Sequence, residues 1–305
     1  MTASPLPLSL RPAWSEAFAP GVLPTLCPIP PLDDITPEWA WGGGTGIGVK
    51  VAILDSGIDA DHPAVRGVQS YLTIQEGPDG LVYDEGPHGD SFGHGTACAG
   101  IIRALAPDCS LFSVKVLGPD LTGRGAIFVA GLRRAIECGA HICNLSLSSS
   151  RAEFFGQLHE LADAAYFRHI PLVCAANNLP LPSYPALFGV VLSVAAHKER
   201  DPECFAYNPA PPVEFGAPGI DLEVAWLGGG RITVTGNSFA APHITGLVAR
   251  ILAKHPGLTV FQVKSILRAL ATNVARDDDE ERCTCSPNHP NRGSTAVNGV
   301  EERND

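Results

Sequence analysis

Five short apolar runs constrain this chain more than any other feature: VAILD (51–55), LFSVKVL (111–117), HICNLSL (141–147), IPLVCAA (170–176) and GVVLSVAA (189–196). Each is too short to be a core helix. Each is also apolar at successive positions rather than at every second one, the pattern of a strand covered on both faces. The stretches between them, such as AIFVAGLRRAIECG (126–139) and AEFFGQLHELADAAYFR (152–168), have helix length and helix spacing. Strand and helix in alternation predict an α/β fold, a three-layer sandwich in which helices cover both faces of a mostly parallel central sheet. With 305 residues, 45% of them hydrophobic, one large domain with short appendages is expected. Residues 1–35 are Pro-rich and aperiodic and read as an irregular N-terminal arm; 36–275 form the folded domain; 276–305 are acidic and polar and read as a disordered tail.

Several function classes are disfavoured by composition. A net charge of −11 opposes binding to phosphate backbones, so nucleic acid is not an expected partner. No run approaches the roughly 20 apolar residues that span a bilayer. The first 20 residues also lack the basic start and apolar stretch of a secretory signal. The expectation is a soluble, cytoplasmic protein without membrane association. Nine cysteines, an odd number without paired spacing, fit a reducing compartment, and Cys98, Cys143 and Cys174 read as small buried hydrophobes. The CxC pair Cys283 and Cys285 offers too few ligands for a metal site. GGGTGIG (42–48) fits a dinucleotide-binding glycine pattern, but it precedes the strand at 51–55 instead of following one and opening a helix, so nucleotide binding is not expected.

In an open parallel sheet, function gathers at the carboxyl ends of the strands. Asp55 ends VAILD there. His94 lies in GHGTACAGIIRAL (93–105), whose small residues permit close helix packing and put the imidazole in the first turn. Ser238 lies in TGNSFAAPHITGLVARIL (235–252), at the start of a third helix. Alone, each has an ordinary reading: a turn or cap aspartate, a structural histidine, an N-cap serine.

Together these segments resemble the three signature motifs of the subtilisin-like serine protease family (subtilases, peptidase S8), in that family's chain order of Asp, His, Ser. VAILDSGIDADHP is similar to the aspartate motif, with His62 and Pro63 structural. GHGTACAG is similar to the histidine motif, with Ala97 where a second His is common. GNSFAAPHITG is similar to the serine motif, with Asn237 for the usual Thr and Phe239 for the usual Met. The resemblance runs from about residue 36 to 272. It implies an endopeptidase with Asp55, His94 and Ser238 as catalytic triad. LVCAANN (172–178) resembles the family strand that ends in a Gly-Asn pair, which makes Asn178 the oxyanion-hole residue and puts Asn177 at the glycine position. Ser183, Tyr184 and Pro185 match a Tyr-Pro turn whose peptide bond is cis in relatives.

The resemblance also implies an extended peptide or protein substrate held by strand addition between Leu121, Thr122 and Gly123 on one side and Ser146, Leu147 and Ser148 on the other. Ser148 and Asn177 replace two glycines that usually line the S1 pocket, which narrows it and makes it more polar, against large aromatic P1 residues. The altered pocket favours a dedicated peptide or leader maturation protease over a general one. No cofactor is required. GIIRAL runs almost directly into APDCSLFSVKVL, so the family's strong calcium loop is absent, leaving at most a weak calcium site. The Pro-rich LCPIPPL (26–32) is a candidate arm across the active site, and a leader without structure is the equal alternative. The other readings of the site are a non-catalytic peptide binder and an acyl-transferring, peptide-ligating relative. Oligomeric state is not legible.

Overall fold

The computed structural model of the chain describes residues 13–274. The expected tail at 276–305, with Cys283 and Cys285, lies outside the described residues, as do the first 12.

A nine-stranded sheet forms the middle layer. Its strands are β1 (Lys50–Asp55), β2 (Ser70–Gly77), β3 (Gly80–Asp84), β4 (Ser110–Lys115), β5 (Ile142–Leu145), β6 (Leu172–Ala175), β7 (Leu192–His197), β8 (Ala206–Tyr207) and β9 (Phe215–Pro218), in the order β3-β2-β4-β1-β5-β6-β7-β9-β8. All neighbours pair in parallel except the edge strands β3 and β8. A separate hairpin joins β10 (Leu222–Ala225) to β11 (Arg231–Val234). The helices are α1 (Pro37–Trp41), α2 (His94–Leu105), α3 (Gly125–Glu137), α4 (Phe155–Phe167), α5 (Asn237–Lys254) and α6 (Val260–Leu270).

The unbroken apolar runs are explained by two cores, one on each face of the sheet. Val51 and Ile53 pack with residues of α2, α5 and α6, whereas Ala52 and Leu54 pack with residues of α3 and α4. Strand period 2 sends alternate residues into opposite cores, so both sets of positions are predominantly apolar. This is the three-layer α/β sandwich expected. What the runs did not disclose is the hairpin β2–β3, whose residues are half exposed and therefore mixed in polarity.

β1 lies between β4 and β5, and the chain crosses over it in passing from β4 through α3 to β5. With α2 in the core on one face of the sheet and α3 in the core on the other, the carboxyl end of β1 is where a crevice is expected.

The segment 26–32 does not cross this crevice. Its Cys27 and Ile29 pack on the α5–α6 core, and the Cys27 carbonyl accepts a hydrogen bond from Gln262 Nε2 at 2.6 Å.

Candidate active site

Asp55 is the last residue of β1 and is fully buried. The turn after it closes tightly: Gly57 has φ +102°, and a Cβ there would stand 2.4 Å from the Gly89 carbonyl oxygen, so glycine is required. Asp55 Oδ1 accepts from the Ser56 N–H at 2.8 Å, with Ser56 Oγ 3.2 Å away. His94 Nδ1 then lies 2.8 Å from Oδ1 and 2.9 Å from Oδ2. Burial pulls the His94 imidazole toward neutrality, but the Asp55 charge and hydrogen bond, aided by Asp90, outweigh it, and the net pKa lies above the ordinary histidine value.

His94 is the first residue of α2, and Asp90 fixes that end of the helix. Asp90 Oδ1 accepts from the N–H groups of Phe92 (2.9 Å) and Gly93 (2.8 Å) and from Ser56 Oγ (2.7 Å). Its Oδ2 accepts from Thr96 N–H (2.8 Å) and Oγ1 (2.6 Å). A carboxylate at a helix N-terminus satisfies donors that have no intrahelical partner. Burial raises the Asp90 pKa, but these donors win and the net shift is downward. Ser56 links the two carboxylates, so strand end and helix start form one network.

Ser238 is the second residue of α5. Proline at 242, inside the helix, has no N–H to give the carbonyl four residues earlier, which is that of Ser238. The orphaned oxygen is satisfied from the neighbouring strand segment: Ser146 Oγ donates to it at 2.7 Å, with the Cys98 thiol further off at 3.7 Å. Ser146 in turn accepts from Asn144 Nδ2 at 3.0 Å, and Asn144 Oδ1 accepts from Thr245 Oγ1 at 2.9 Å. A buried polar chain thus anchors the backbone of Ser238 to β5 and to α5 itself.

Asn178 follows β6. Its side-chain Oδ1 accepts from the Asn237 N–H at 2.9 Å. An N–H must meet an oxygen, so this contact fixes which end of the carboxamide faces α5 and leaves the Nδ2 donors for the crevice.

The crevice has a volume of about 380 Å³ and is lined by His94, Ser238 and Asn178 together with Leu121, Thr122, Gly123, Ser146, Leu147 and Ser148. No hydrogen bond joins Ser238 Oγ to the His94 ring among the described residues; the two share the crevice. Arg124 and Arg151 also line it, and sequence reasoning did not single them out. Asn177 is not among these lining residues; its Oδ1 accepts from the Leu179 N–H at 2.9 Å, a contact within its own turn. The Tyr184–Pro185 bond is cis. A second hollow of equal size, walled by Phe155, Tyr184 and Phe188, contains none of these groups.

Asp55, His94 and Cys98 bring potential metal-ligand atoms within 4.8 Å of one another. Burial pushes the Cys98 thiol well above its usual pKa, with the Asp55 charge adding to the effect, so the sulfur beside the Asp55–His94 pair is held as a neutral thiol.

The family profile described as "Subtilase family" matches residues 46–285. The chain belongs to the subtilase family. This subtilase is 33% identical over 247 residues to Subtilisin BL of Lederbergia lenta, a match covering 76% of this chain and 86% of that one. It is 31% identical over 247 residues to Subtilisin DY of Bacillus licheniformis, with the same coverage of 76% and 86%. The solved structure of a cold adapted subtilisin-like serine proteinase superposes with a TM-score of 0.64 at 23% identity, over 77% of this chain and 86% of that one, and shows the common fold. The subtilase is a serine peptidase.

Two further residues bear on the site: Asp90, three residues before the Gly93 N-cap of α2, reaches its first turn only through the fold of the 90–93 loop, and Pro242 stands four after Ser238.

Proposed function

We propose that the chain hydrolyses internal peptide bonds through an acyl-enzyme on Ser238, with His94 as general base and Asp55 as its orienting carboxylate. The observation that carries this reading is the His94 Nδ1 contact with Asp55 at 2.8 Å, in a crevice that also contains Ser238. A carboxylate on Nδ1 keeps the proton there and leaves Nε2 basic. Nε2 takes the Ser238 hydroxyl proton as Oγ attacks the substrate carbonyl. The negative charge that develops on the carbonyl oxygen is met by Asn178 Nδ2 and by the Ser238 N–H at the positive end of α5. The tetrahedral adduct collapses as the imidazolium gives its proton to the departing amine. Water then repeats the sequence on the acyl-enzyme and frees Ser238.

The substrate strand lies between Leu121–Gly123 and Ser146–Ser148, hydrogen-bonded through the backbone. Ser146 supports this role because its hydroxyl is already committed to Ser238, leaving its main chain for the peptide. Ser148 narrows the S1 pocket, now without help from Asn177, and disfavours large aromatic P1 residues. A narrowed pocket suits maturation of a particular peptide or leader better than general proteolysis.

The protein works without a bound cation, a reading supported by Arg103. This buried guanidinium in the last turn of α2 donates to the carbonyls of Val65 (2.8 Å), Gly67 (3.2 Å), Pro107 (2.9 Å) and Cys109. It gathers the loops that follow β1 and α2 around a covalently attached positive charge, as a metal ion would with the same carbonyl oxygens. A reducing compartment such as the cytoplasm is supported by the unpaired Cys98, Cys109, Cys143 and Cys174, all buried. No helix among the described residues is long and apolar enough to cross a membrane.

The test is reaction with a fluorophosphonate probe, followed by cleavage-site mapping on a peptide library. Labelling of the wild type that disappears in Ser238→Ala is expected; labelling that persists in the variant, or none in the wild type, overturns the assignment.

A further inference from the structure

The residue between the α5 cap and the nucleophile carries more contacts than the mechanism uses. Asn237 donates its N–H to Asn178 Oδ1 at 2.9 Å. Its side chain turns the opposite way. Nδ2 donates to the carbonyls of Ala176 at 3.2 Å and Asn177 at 3.1 Å, the two residues that lead into Asn178. Oδ1 accepts from the Ala196 N–H of β7 at 2.9 Å. One residue therefore grips the 176–178 segment through its main chain and through its side chain, and ties both to the sheet.

We infer that Asn237 is a positioning residue for the oxyanion hole, setting the place and orientation of the Asn178 carboxamide relative to Ser238. The inference rests on the endopeptidase reading. Three features carry it. The 176–178 segment leaves the sheet after Ala175, its last ladder contact being the Ala176 N–H to the Val194 carbonyl at 2.9 Å, and beyond that Asn237 bonds it through both main chain and side chain. The carboxamide of Asn237 is spent in full, two donors on two carbonyls and one acceptor on a strand N–H, which fixes its rotamer and so the spacing between α5 and the loop. A hydroxyl at this position has one hydrogen to donate and cannot bridge both carbonyls while accepting from Ala196. Asn237 is not among the residues that line the crevice, and its hydrogen bonds go to Asn178, Ala176, Asn177 and Ala196; it acts through Asn178. An oxyanion donor works only when pre-set at hydrogen-bond distance from where the charge forms, and a displacement of about 1 Å costs up to about 10²-fold in rate.

The test is a double-mutant cycle on hydrolysis of fluorescein-labelled casein. Asn237→Asp keeps the shape and the Ala196 contact but turns an oxygen toward the two carbonyls. It is expected to lower kcat by about tenfold or more with KM changed less than about threefold, since only the transition state uses the oxyanion hole. Asn178→Ala is expected to lower kcat by about 10²-fold or more. Adding Asn237→Asp to Asn178→Ala is expected to cost less than about threefold further, because the group that Asn237 positions is gone. Full additivity, or an unchanged kcat in Asn237→Asp, overturns the inference. Asn237→Ser, which retains an acceptor for Ala196 and removes the amide donors, carries the same cycle if the aspartate variant does not fold. Additivity in a wild type that the fluorophosphonate labels at Ser238 refutes the positioning role alone; a wild type that is not labelled refutes the endopeptidase reading and this inference with it.

Discussion

Ser146 Oγ stands 2.7 Å from the Ser238 carbonyl oxygen and fills the place left by the N–H that Pro242 lacks. The same residue borders the crevice, so one serine joins the wall of the substrate groove to the main chain of the nucleophile. Ser146→Ala would leave the Ser238 oxygen and Asn144 Nδ2 short of partners in a buried site. The expected cost is about 2 kcal/mol of stability, read by denaturant unfolding, with a fall in kcat of about tenfold at nearly constant KM.

The Asp55–His94 contact sets the pH dependence. His94 must be neutral to accept the Ser238 proton, and its pKa lies above the ordinary 6.5. The acid limb of kcat/KM is therefore expected above that value. Stability runs the other way. A raised folded-state pKa gives stabilisation that is complete below the unfolded value of 6.5 and fades as pH rises through the folded value. Asp55→Asn should remove the effect and lower kcat by about 10⁴-fold, the cost of presenting the wrong tautomer in a triad of this kind. A pH-rate profile and a pH series of thermal midpoints check both halves.

Asp90 has the opposite sign. Its pKa is depressed below 3.8, so its contribution is present above that pH and is lost as pH falls through the folded value. Asp90→Ala strips the cap from α2 and frees Ser56, and should cost about 2 kcal/mol or more by denaturant unfolding at neutral pH. Because His94 is the first residue of that helix, the rate of fluorophosphonate labelling should fall as well.

Arg103 predicts the response to chelators. The wild-type thermal midpoint should not move on addition of EDTA. Arg103→Met, which leaves four carbonyl oxygens without their donors, should lower stability by roughly 3 kcal/mol. A midpoint that drops in EDTA would place a structural cation in the folded protein and contradict the proposal.

Ser148→Gly should widen the S1 pocket. Relative kcat/KM for Phe or Tyr over Ala at P1 is expected to rise by about tenfold, the scale on which small volume changes in a pocket discriminate. Profiling on a peptide library reads this directly.

The layers of the fold could be read from the chain because periodicity reports burial. A strand such as VAILD, apolar at every position, has few alternatives to the middle of a sandwich, and helices of α3 and α4 length have few alternatives to its faces. The hairpin β2–β3 left no such trace, since an edge strand half in water tolerates mixed polarity. The candidate site residues were marked differently: alone, a strand-end carboxylate and a histidine and a serine at helix starts each have an ordinary reading, and only the resemblance of their three segments to the family motifs singled them out.

What the sequence by itself determined is therefore the α/β architecture and, through the resemblance of its motifs, the candidate roles of Asp55, His94, Asn178 and Ser238. Tertiary structure alone decided how polar groups are shared among them: that Asn177 turns into its own loop, that 26–32 rests against α6, that Asn237 grips 176–178, and that Arg103 collects four carbonyls. Apolar burial depends on a residue's own chemistry and its period along the chain. A hydrogen bond depends on a partner often many residues away, and which partner is within reach is known only once the chain has closed around it.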